Sequence, residues 1–560
     1  MTMPADGGLR FSEPGFFELF TPKFVTILKE GYGRQDLRAD LAAGLTVAIV
    51  ALPLSMAIAI ASGTTPDRGL YAAIIGGFLV SLLGGSRFQI GGPAGAFIVL
   101  VSATVTRHGI DGLILATLLS GIILLAIGFF RLGTYVKFIP YPVTVGFTAG
   151  IAVIIFISQL RDLLGLPLEG AEPAEVLARL ERIGGALFHA DPAAVVVAAL
   201  TLTLIVVLKE IQSRWPGLLI AVLITSLLTA LFNLPVETIG SRFGGIPHAL
   251  PMPHLPGLSW ERVLQVLPDA VAFALLGAIE SLLSAVVADG MTGRRHRSNC
   301  ELVAQGVANI GSALFGGFCV TGAIARTASN IRAGARGPMA GMLHAVFLLL
   351  FLVLAAPLAN YIPLPSLAAV LCIVAWGMVE KFAFLNLLKA SWGDAAVLLT
   401  TFFLTIFRDL TEGILIGFGL GTLLFLNRIA QSVSVEFRTP LIPEDQADDQ
   451  GGPRQHYDGR EASDPDRLVY RIPGAFFFGT AATVAAVLER IADQPRVFVL
   501  DFSAVPFLDS TAANTLESFA RKATRSGTAL ELSGVNPKVR QMLEAHGVRA
   551  PLVTYAGAQD

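Results

Sequence analysis

Two short interruptions in apolar sequence constrain what this chain can fold into. Residues 91–97 (GGPAGAF) and 321–327 (TGAIART) place small, helix-interrupting residues inside stretches that are otherwise apolar enough for a membrane. Unwound backbone at membrane depth is tolerated only where protein or a wet cavity satisfies its N–H groups. Each interruption therefore predicts the start of a half-helix. The pair predicts a site for a small anion at the positive ends of two helix dipoles.

Composition places the chain in a membrane. Its 560 residues are 54% hydrophobic and 15% charged, and their mean hydropathy is +0.67, which is too apolar for a soluble protein of this length. The net charge of -2 gives no basic surface for nucleic acid, which excludes that class of partner. Cys300, Cys319 and Cys372 lie in or beside apolar sequence without metal-ligand spacing, so we interpret them as small core residues.

The apolar sequence divides into fourteen segments. Most are long enough to cross a bilayer as a helix, whereas the third and the tenth are too short to span alone. The segments are 41–61, 70–84, 95–106, 113–130, 140–160, 193–208, 217–235, 270–288, 299–317, 323–331, 338–359, 362–380, 394–408 and 411–428.

The distribution of basic residues between the segments is consistent with fourteen membrane crossings. If the amino terminus is cytoplasmic, the even-numbered connections between segments should be basic. They carry Arg87, Arg131 and Lys137, Lys209 and Arg214, residues 294–297 (RRHR), Arg332 and Arg336, and Lys381 and Lys389. We therefore expect both termini to be cytoplasmic, with no cleavable signal peptide before residue 40.

The surroundings of the two interruptions match. The second segment ends in LLGGS at 82–86, the ninth ends in ALFGG at 313–317, and a half-helix follows each. Seven helices per half, starting inside for the first half and outside for the second, makes this an inverted repeat.

The eighth segment, 270–288, contains a single ionisable residue, Glu280. A charged, unpaired carboxyl at membrane depth costs several kcal/mol, so Glu280 must be neutral, paired or facing a wet cavity. Helical spacing places Gly277 and Ser284 on its face, where they leave room for water or an ion. We interpret Glu280 as the coupling residue, with Ser284 beside it. The alternative is a structural carboxylic acid that is hydrogen-bonded to a neighbouring helix.

Arg326, near the start of the tenth segment, is the second ionisable residue at depth. Its guanidinium remains charged when buried, so it adds a permanent positive charge to the dipole of that half-helix. A negative substrate would complement it. Arg326 could instead only neutralise Glu280. Both roles are compatible if protonation of Glu280 frees Arg326 for the substrate, which is a mechanism for proton-coupled anion uptake.

Several sequence runs together resemble the sulfate permease (SulP) family, the bacterial relatives of solute carrier family twenty-six, over nearly the whole chain. The resemblance is closest to the members that take up C4-dicarboxylates by proton symport. The runs are 40–47 (DLAAGLTV), 51–53 (ALP), 92–97 (GPAGAF), 277–283 (GAIESLL), 298–302 (SNCEL), 304–306 (AQG) and 322–327 (GAIART).

This resemblance implies a polytopic α-helical membrane protein of the bacterial inner membrane, with fourteen transmembrane segments arranged as seven-plus-seven inverted repeats. Helices one to four and eight to eleven would form a mobile core, and the remaining helices a gate. The family's anion site lies between the starts of the third and tenth helices. By position, this implies a substrate site of Ser55, Ile58, Gly95, Ala96, Phe97, Ala325, Arg326 and Thr327.

The resemblance also bears on the coupling ion. Family members similar to cyanobacterial bicarbonate carriers have an aspartate at the position of Glu280 and a threonine one turn later, which form a sodium site. Here the pair is Glu280 and Ser284. This departure favours protons over sodium, and we expect no metal or other cofactor.

The sequence changes character after Arg428. Residues 431–465 are polar and predict a linker, and residues 466–556 alternate strands, at 468–472 and 497–501, with helices near 480–493, 511–524 and 536–546. This α/β part resembles a STAS domain. In the related anti-sigma-factor antagonists the position of Ser510 accepts a phosphate, whereas structurally Asp509 or Ser510 is a good helix N-cap. We expect a cytoplasmic regulatory, trafficking or dimer-forming domain, and a homodimer.

The sequence therefore predicts a 41–430 transport domain that carries a C4-dicarboxylate or sulfate with protons by elevator-like alternating access. A sodium-coupled bicarbonate symporter and an anion exchanger are alternatives. A passive anion channel or a STAS-linked anion sensor would be functions of another class. A nucleobase permease would leave Arg326 little to do, and an enzyme is not expected because no nucleophile–base pair is present.

Overall fold

The computed structural model describes residues 15, 19–133, 140–168, 176–211, 216–408, 410–432, 467–472, 474–476, 496–525 and 527–556. The chain divides into two compact units, Met1–Gly419 and Leu420–Asp560. The predicted helix at 480–493 lies outside the described residues, as does nearly all of the predicted linker.

The described part of the first unit is helical apart from two strands of two residues. In chain order the elements are α1 (Lys23–Glu30), α2 (Arg34–Ala61), α3 (Pro66–Leu83), β1 (Gly91–Gly92), α4 (Gly95–Phe129), α5 (Tyr141–Leu164), α6 (Val176–Ala186), α7 (Pro192–Ile211), α8 (Gly217–Phe232), α9 (Ile239–Phe243), α10 (Trp260–Thr292), α11 (Ser298–Leu314), β2 (Thr321–Gly322), α12 (Ile324–Arg332), α13 (Met339–Ala359), α14 (Leu364–Met378), α15 (Lys381–Ala390) and α16 (Trp392–Phe407). A further helix, α17 (Leu410–Ser432), begins in the first unit and ends in the second.

All fourteen predicted segments fall on these helices, so the prediction of a polytopic helical membrane protein is confirmed. Within the described residues, eight helices are long and apolar enough to cross a bilayer, and three shorter apolar helices accompany them. The third and fourth segments share α4, which breaks at Gly109, where φ is +67° and ψ is -172°. Only glycine adopts this conformation readily, which explains the break between the two segments.

Helices of the two halves pack in equivalent pairs. The first helix of each half, α2 or α10, packs on the fourth helix of the other half, which is α13 or the second part of α4. The fifth helix of each half, α5 or α14, packs in the same way on the sixth helix of the other half, α16 or α7. This exchange of partners is the arrangement expected of an inverted repeat. It groups α2–α4 and α10–α13 into one bundle, the core, and α5, α7, α8, α14 and α16 into another, the gate.

Glycine allows a close helix crossing in the core. A Cβ atom at Gly306 of α11 would lie 2.7 Å from the carbonyl oxygen of Gly121 in α4, and a Cβ atom at Gly121 would lie 2.7 Å from that of Gly306. In lipid the hydrophobic effect does not drive helices to associate, and close packing of their backbones does so instead. Small residues at helix interfaces allow this close approach. The crossing holds the second part of α4, after the break at Gly109, against α11.

The described part of the second unit contains a parallel sheet in the order β3-β4-β5-β6. Its strands are β3 (Arg467–Arg471), β4 (Val497–Asp501), β5 (Ala529–Ser533) and β6 (Thr554–Tyr555), and its helices are α18 (Ser510–Arg525) and α19 (Pro537–Ala545). The helices connect successive strands and cover a core around Phe498, Leu516 and Leu532. The predicted α/β fold is confirmed; β5 and β6 were not predicted.

We expect Gly306→Ala to lower the free energy of unfolding by about 1–3 kcal/mol, because its methyl group overpacks the crossing with Gly121. Thermal unfolding of the full chain in detergent measures this. Gly290→Ala is the matched control, since nothing lies within 4 Å of its Cβ position. Equal melting temperatures for the two variants would contradict the account of the crossing.

Candidate functional site

The two interruptions meet as a short antiparallel pair of strands inside the core. Gly91 pairs with Gly322 and Gly92 with Thr321, and the N–H of Ala323 donates to the carbonyl oxygen of Ile90 at 2.9 Å. These bonds satisfy backbone groups that would otherwise be unpaired at membrane depth. A helix begins directly after each strand, so two positive helix ends lie next to each other.

Glycine is required where side chains cross this strand pair. At Gly92, where φ is +147°, a Cβ atom would lie 2.5 Å from Nη1 of Arg326. At Gly322 a Cβ atom would collide with the side-chain amide of Gln89. The small residues that marked the interruptions in the sequence therefore make room for two buried polar side chains.

Hydroxyl groups tie α10 to the second interruption. Ser281 Oγ lies 2.6 Å from Thr321 Oγ1, which donates to the carbonyl oxygen of Gly277 at 3.2 Å. The N–H of Gly322 donates to Ser281 Oγ at 3.4 Å. Ser281 was not among the predicted site residues, although it follows Glu280 directly in the sequence. Its bonds hold the unwound backbone of β2 against α10.

A second hydroxyl pair joins α10 to both interruptions. Ser284 Oγ donates to Thr327 Oγ1 at 3.1 Å, and the backbone N–H of Ile90 donates to the same oxygen at 3.1 Å. Thr327 belongs to α12, and Ile90 precedes β1. Two predicted site residues, Ser284 and Thr327, thus lie in direct contact and link α10 and α12 to the approach to α4.

Arg326 is nearly fully buried, with 3% of its surface exposed. Its Nη2 donates to the carbonyl oxygen of Pro93, on the approach to α4. Within the described residues its Nε and Nη1 have no hydrogen-bond partner. The guanidinium therefore bridges the two half-helix starts and retains donors for a ligand.

Glu280 is also buried, with 8% of its surface exposed. Among the described residues it forms no hydrogen bond or ion pair, and Arg326 does not neutralise it directly. A neighbouring helix supplies no described partner for it either. The carboxyl group is thus an isolated buried group on the same helix that holds β2 and α12.

The remaining predicted substrate residues surround the two helix starts. Ile58 and Phe97 are 1% exposed, and Ser55 is fully buried with an Oγ that lacks a described partner. The Phe97 ring packs edge-on against Phe273 of α10, with centroids 6.0 Å apart. Ala96 is buried beside Phe97.

The exposed part of the site lies at the two helix starts. Ala325 is exposed and Gly95 is half-buried. A Cβ atom at Gly95 would contact Ile155 of α5 and Met378 of α14, at 3.4 and 3.5 Å. Both helices belong to the gate, so the site lies where the core faces the gate.

Ser510 lies outside this region, at the exposed start of α18. Asp509 Oδ1 accepts a hydrogen bond from the N–H of Ala512 at 2.9 Å, which makes Asp509 the N-cap of the helix. The structural role therefore belongs to Asp509, and the Ser510 hydroxyl is accessible. Its phosphorylation stays a prediction.

The model of the sulfate permease family matches residues 37–401. The chain belongs to this family. The model of the STAS domain matches residues 460–557, which confirms the resemblance seen in the C-terminal sequence. The chain is thus a membrane-embedded anion transporter with a C-terminal STAS domain.

Two curated relatives match over most of their length. The chain is 37% identical over 524 residues to the putative sulfate transporter YvdB of Bacillus subtilis, covering 93% of this chain and 95% of the relative. It is 30% identical over 531 residues to the bicarbonate transporter BicA of a Synechocystis strain, covering 91% of this chain and 90% of the relative. Both relatives are transporters, in agreement with the expectation that the chain is not an enzyme.

Solved structures share the fold. The transmembrane domain of a cyanobacterial BicA covers 70% of this chain and 98% of its own, with a TM-score of 0.60 and 31% identity. Murine Slc26a9, in an inward-facing state, covers 97% of this chain and 93% of its own, with a TM-score of 0.82 and 17% identity. Because Slc26a9 is only 17% identical to this chain, its similarity shows a shared fold alone.

We expect Thr327→Val to lower the free energy of unfolding by about 1–3 kcal/mol, because it leaves Ser284 Oγ and the N–H of Ile90 without their acceptor. Thermal unfolding of the full chain measures the loss. Thr327→Ser keeps the hydroxyl and should recover most of it. If the valine variant is as stable as the wild type, this hydroxyl does not link the helices.

Proposed function

We propose that the chain carries a small dianion, a C4-dicarboxylate such as succinate or fumarate, or sulfate, together with protons across a bacterial inner membrane. The observation that carries this proposal is the pair of buried ionisable residues on elements joined at the strand crossing. Arg326 keeps unpaired donors at two helix starts, and Glu280 is an isolated carboxyl group on α10.

The charge of the site supports a dianion. Each helix N-terminus is equivalent to about half a positive charge, so the starts of α4 and α12 contribute about one charge together. The guanidinium of Arg326 adds one more. A site with about two positive charges balances sulfate or a dicarboxylate better than a monoanion. The choice of dicarboxylate over sulfate rests on the family resemblance of the sequence.

The isolation of Glu280 supports coupling to protons. An ionised carboxylate buried without a partner is costly, so the neutral form is favoured while the site is closed. An anion bound nearby adds a second negative charge and favours the neutral form further. By thermodynamic linkage, protonation of Glu280 then strengthens anion binding by the same factor. Anion and proton would cross together.

The division into core and gate supports alternating access. The polar residues Arg326, Glu280, Ser281, Ser284 and Thr327 all lie in the core, and Gly95 faces apolar residues of α5 and α14 in the gate. A core that slides along the gate would carry the whole site from one side to the other. The basic connections favour a cytoplasmic location for the amino terminus and for the STAS domain.

A sodium-coupled bicarbonate symporter is the second candidate, because a relative with 30% identity is a bicarbonate transporter. In that case the hydroxyl pair of Ser284 and Thr327 would contribute oxygen ligands beside Glu280. Uptake of labelled succinate, fumarate, sulfate and bicarbonate into proteoliposomes, with proton or sodium gradients, separates the two candidates. Bicarbonate uptake driven only by sodium would overturn the proton-coupled proposal. Anion current without proton movement would indicate a channel.

We expect Arg326→Ala to weaken anion binding by about 1.5–3 kcal/mol, the size of a charge-assisted hydrogen bond. Calorimetry with sulfate and with succinate measures the loss, which is about tenfold to a hundredfold in Kd. Arg332→Ala is the matched control, because Arg332 is an exposed arginine on the same helix. Wild-type affinity in Arg326→Ala would refute the anion-binding role.

We expect Glu280→Gln to abolish proton-driven uptake while the protein remains folded, because glutamine is a permanently neutral analogue of the protonated acid. Uptake as a function of external pH measures this, and the melting temperature reports folding. Glu261→Gln, an exposed position on the same helix, should retain the wild-type profile. An unchanged pH dependence in Glu280→Gln would remove Glu280 from the coupling mechanism.

A further inference from the structure

Asn309 of α11 binds the chain just before the second interruption. Its Oδ1 accepts a hydrogen bond from the N–H of Val320 at 2.9 Å, and its Nδ2 donates to the carbonyl oxygen of Val320 at 2.9 Å. Nδ2 also donates to the carbonyl oxygen of Gln305, one turn earlier, at 2.8 Å. The side chain is 1% exposed. Its amide thus pairs with both backbone groups of one residue, as the opposite residue of an antiparallel strand does.

Val320 directly precedes β2, and further hydrogen bonds hold the chain from there. The N–H of Gly322 donates to a serine hydroxyl of α10, and the N–H of Ala323 donates to the carbonyl oxygen of the residue before β1. Helix α12 begins at the next residue, Ile324. The first N–H groups of a helix have no acceptor within the helix. The chain is therefore held up to Ala323, and the N–H groups of the predicted anion site follow immediately.

The equivalent position in the first half is a glycine. The GG pairs at 84–85 and 316–317 correspond in the two halves, and Gly77 and Asn309 each lie seven residues before the first glycine of the pair. A Cβ atom at Gly77 would lie 3.0 Å from the carbonyl oxygen of Gly91 in β1. The same position of the repeat therefore contacts the interrupted segment in both halves. In the second half it supplies hydrogen bonds, which glycine cannot.

We propose that Asn309 is a positioning residue for the anion site, because it fixes Val320 and with it β2 and the start of α12. Arg326 lies in the first turn of α12, so a shift of β2 would move its guanidinium together with the N–H groups of that turn. Asn309 acts through these groups and not on the anion itself. The inference rests on the proposed anion site, but it holds whichever anion is carried and whichever ion drives transport.

The burial of Val320 explains why the side chain of Asn309 matters. Val320 is 1% exposed, and a buried backbone group that loses its partner costs more than the net value of the hydrogen bond. Without the amide of Asn309 the connection to β2 should therefore shift until these groups find other partners. A binding site depends on supports that hold its donors within about 0.5 Å, so such a shift should weaken anion binding.

We expect Asn309→Ala in the full chain to raise the Kd of the anion about three- to tenfold, the size of a lost hydrogen bond. Calorimetry with sulfate, succinate, fumarate and bicarbonate shows which of these the wild type binds most tightly, and that anion is used for the variants. Ser312→Ala is the matched control. Ser312 Oγ donates to the carbonyl oxygen of Phe318 at 2.7 Å, so this variant also removes a buried bond from α11 to the same connection, but farther from β2. Its Kd should remain that of the wild type.

Hydrogen exchange gives a readout that needs no ligand. An amide exchanges slowly when its hydrogen bond must first open. The N–H of Val320 should therefore exchange about tenfold faster or more in Asn309→Ala, and at the wild-type rate in Ser312→Ala. Mass spectrometry with electron-transfer fragmentation resolves this amide. Wild-type exchange at Val320 in Asn309→Ala would overturn the positioning role.

The affinities separate a positioning role from a purely structural one. An equal rise in Kd for the two variants, at equal melting temperatures, would mean that affinity follows stability and would overturn the proposal, as would a wild-type Kd in Asn309→Ala. If Asn309→Ala does not fold, Asn309→Ser serves the same test, because one hydroxyl cannot replace both bonds to Val320. Transport driven by sodium, or of another anion, would change the proposed function and leave this comparison intact.

Discussion

The fold depends on a backbone crossing inside the core. Gly91 and Gly92 pair with Gly322 and Thr321, so that two unwound segments satisfy each other where neither lipid nor bulk water could. The pairing holds two helix starts together, and the glycines leave space for the side chains of Arg326 and Gln89. Hydroxyl groups of Ser281 and Ser284 then attach α10 to this crossing. Arg326 and Glu280 are therefore held within one bundle.

This arrangement explains why two buried ionisable residues can coexist without a direct ion pair. Arg326 donates to the carbonyl oxygen of Pro93, which stabilises its charge and keeps further donors available. Glu280 has no described partner, so its protonation state can respond to whatever binds nearby. A direct salt bridge would have satisfied both the guanidinium of Arg326 and the carboxyl group of Glu280. Neither group would then have been available to bind an anion or a proton.

Much of this was predictable from sequence, because the signals are local. Apolar length predicted the helices, and small residues in pairs predicted the interruptions. Glu280 and Arg326 stood out as ionisable residues in apolar surroundings. The helices α1, α6, α9 and α15 were not predicted, since short helices outside the long apolar segments give a weak signal. Nor did the sequence indicate that Gln89 lies against Gly322 or that Arg326 binds Pro93, because these contacts depend on how distant segments cross.

The most direct test of coupled transport is the simultaneous measurement of lumenal pH and anion uptake in proteoliposomes that contain the full chain. If transport is coupled to protons, entry of labelled succinate or sulfate acidifies the lumen in a fixed ratio of protons to anions, without added sodium. Anion uptake that leaves the lumenal pH unchanged, or that requires a sodium gradient, would contradict it.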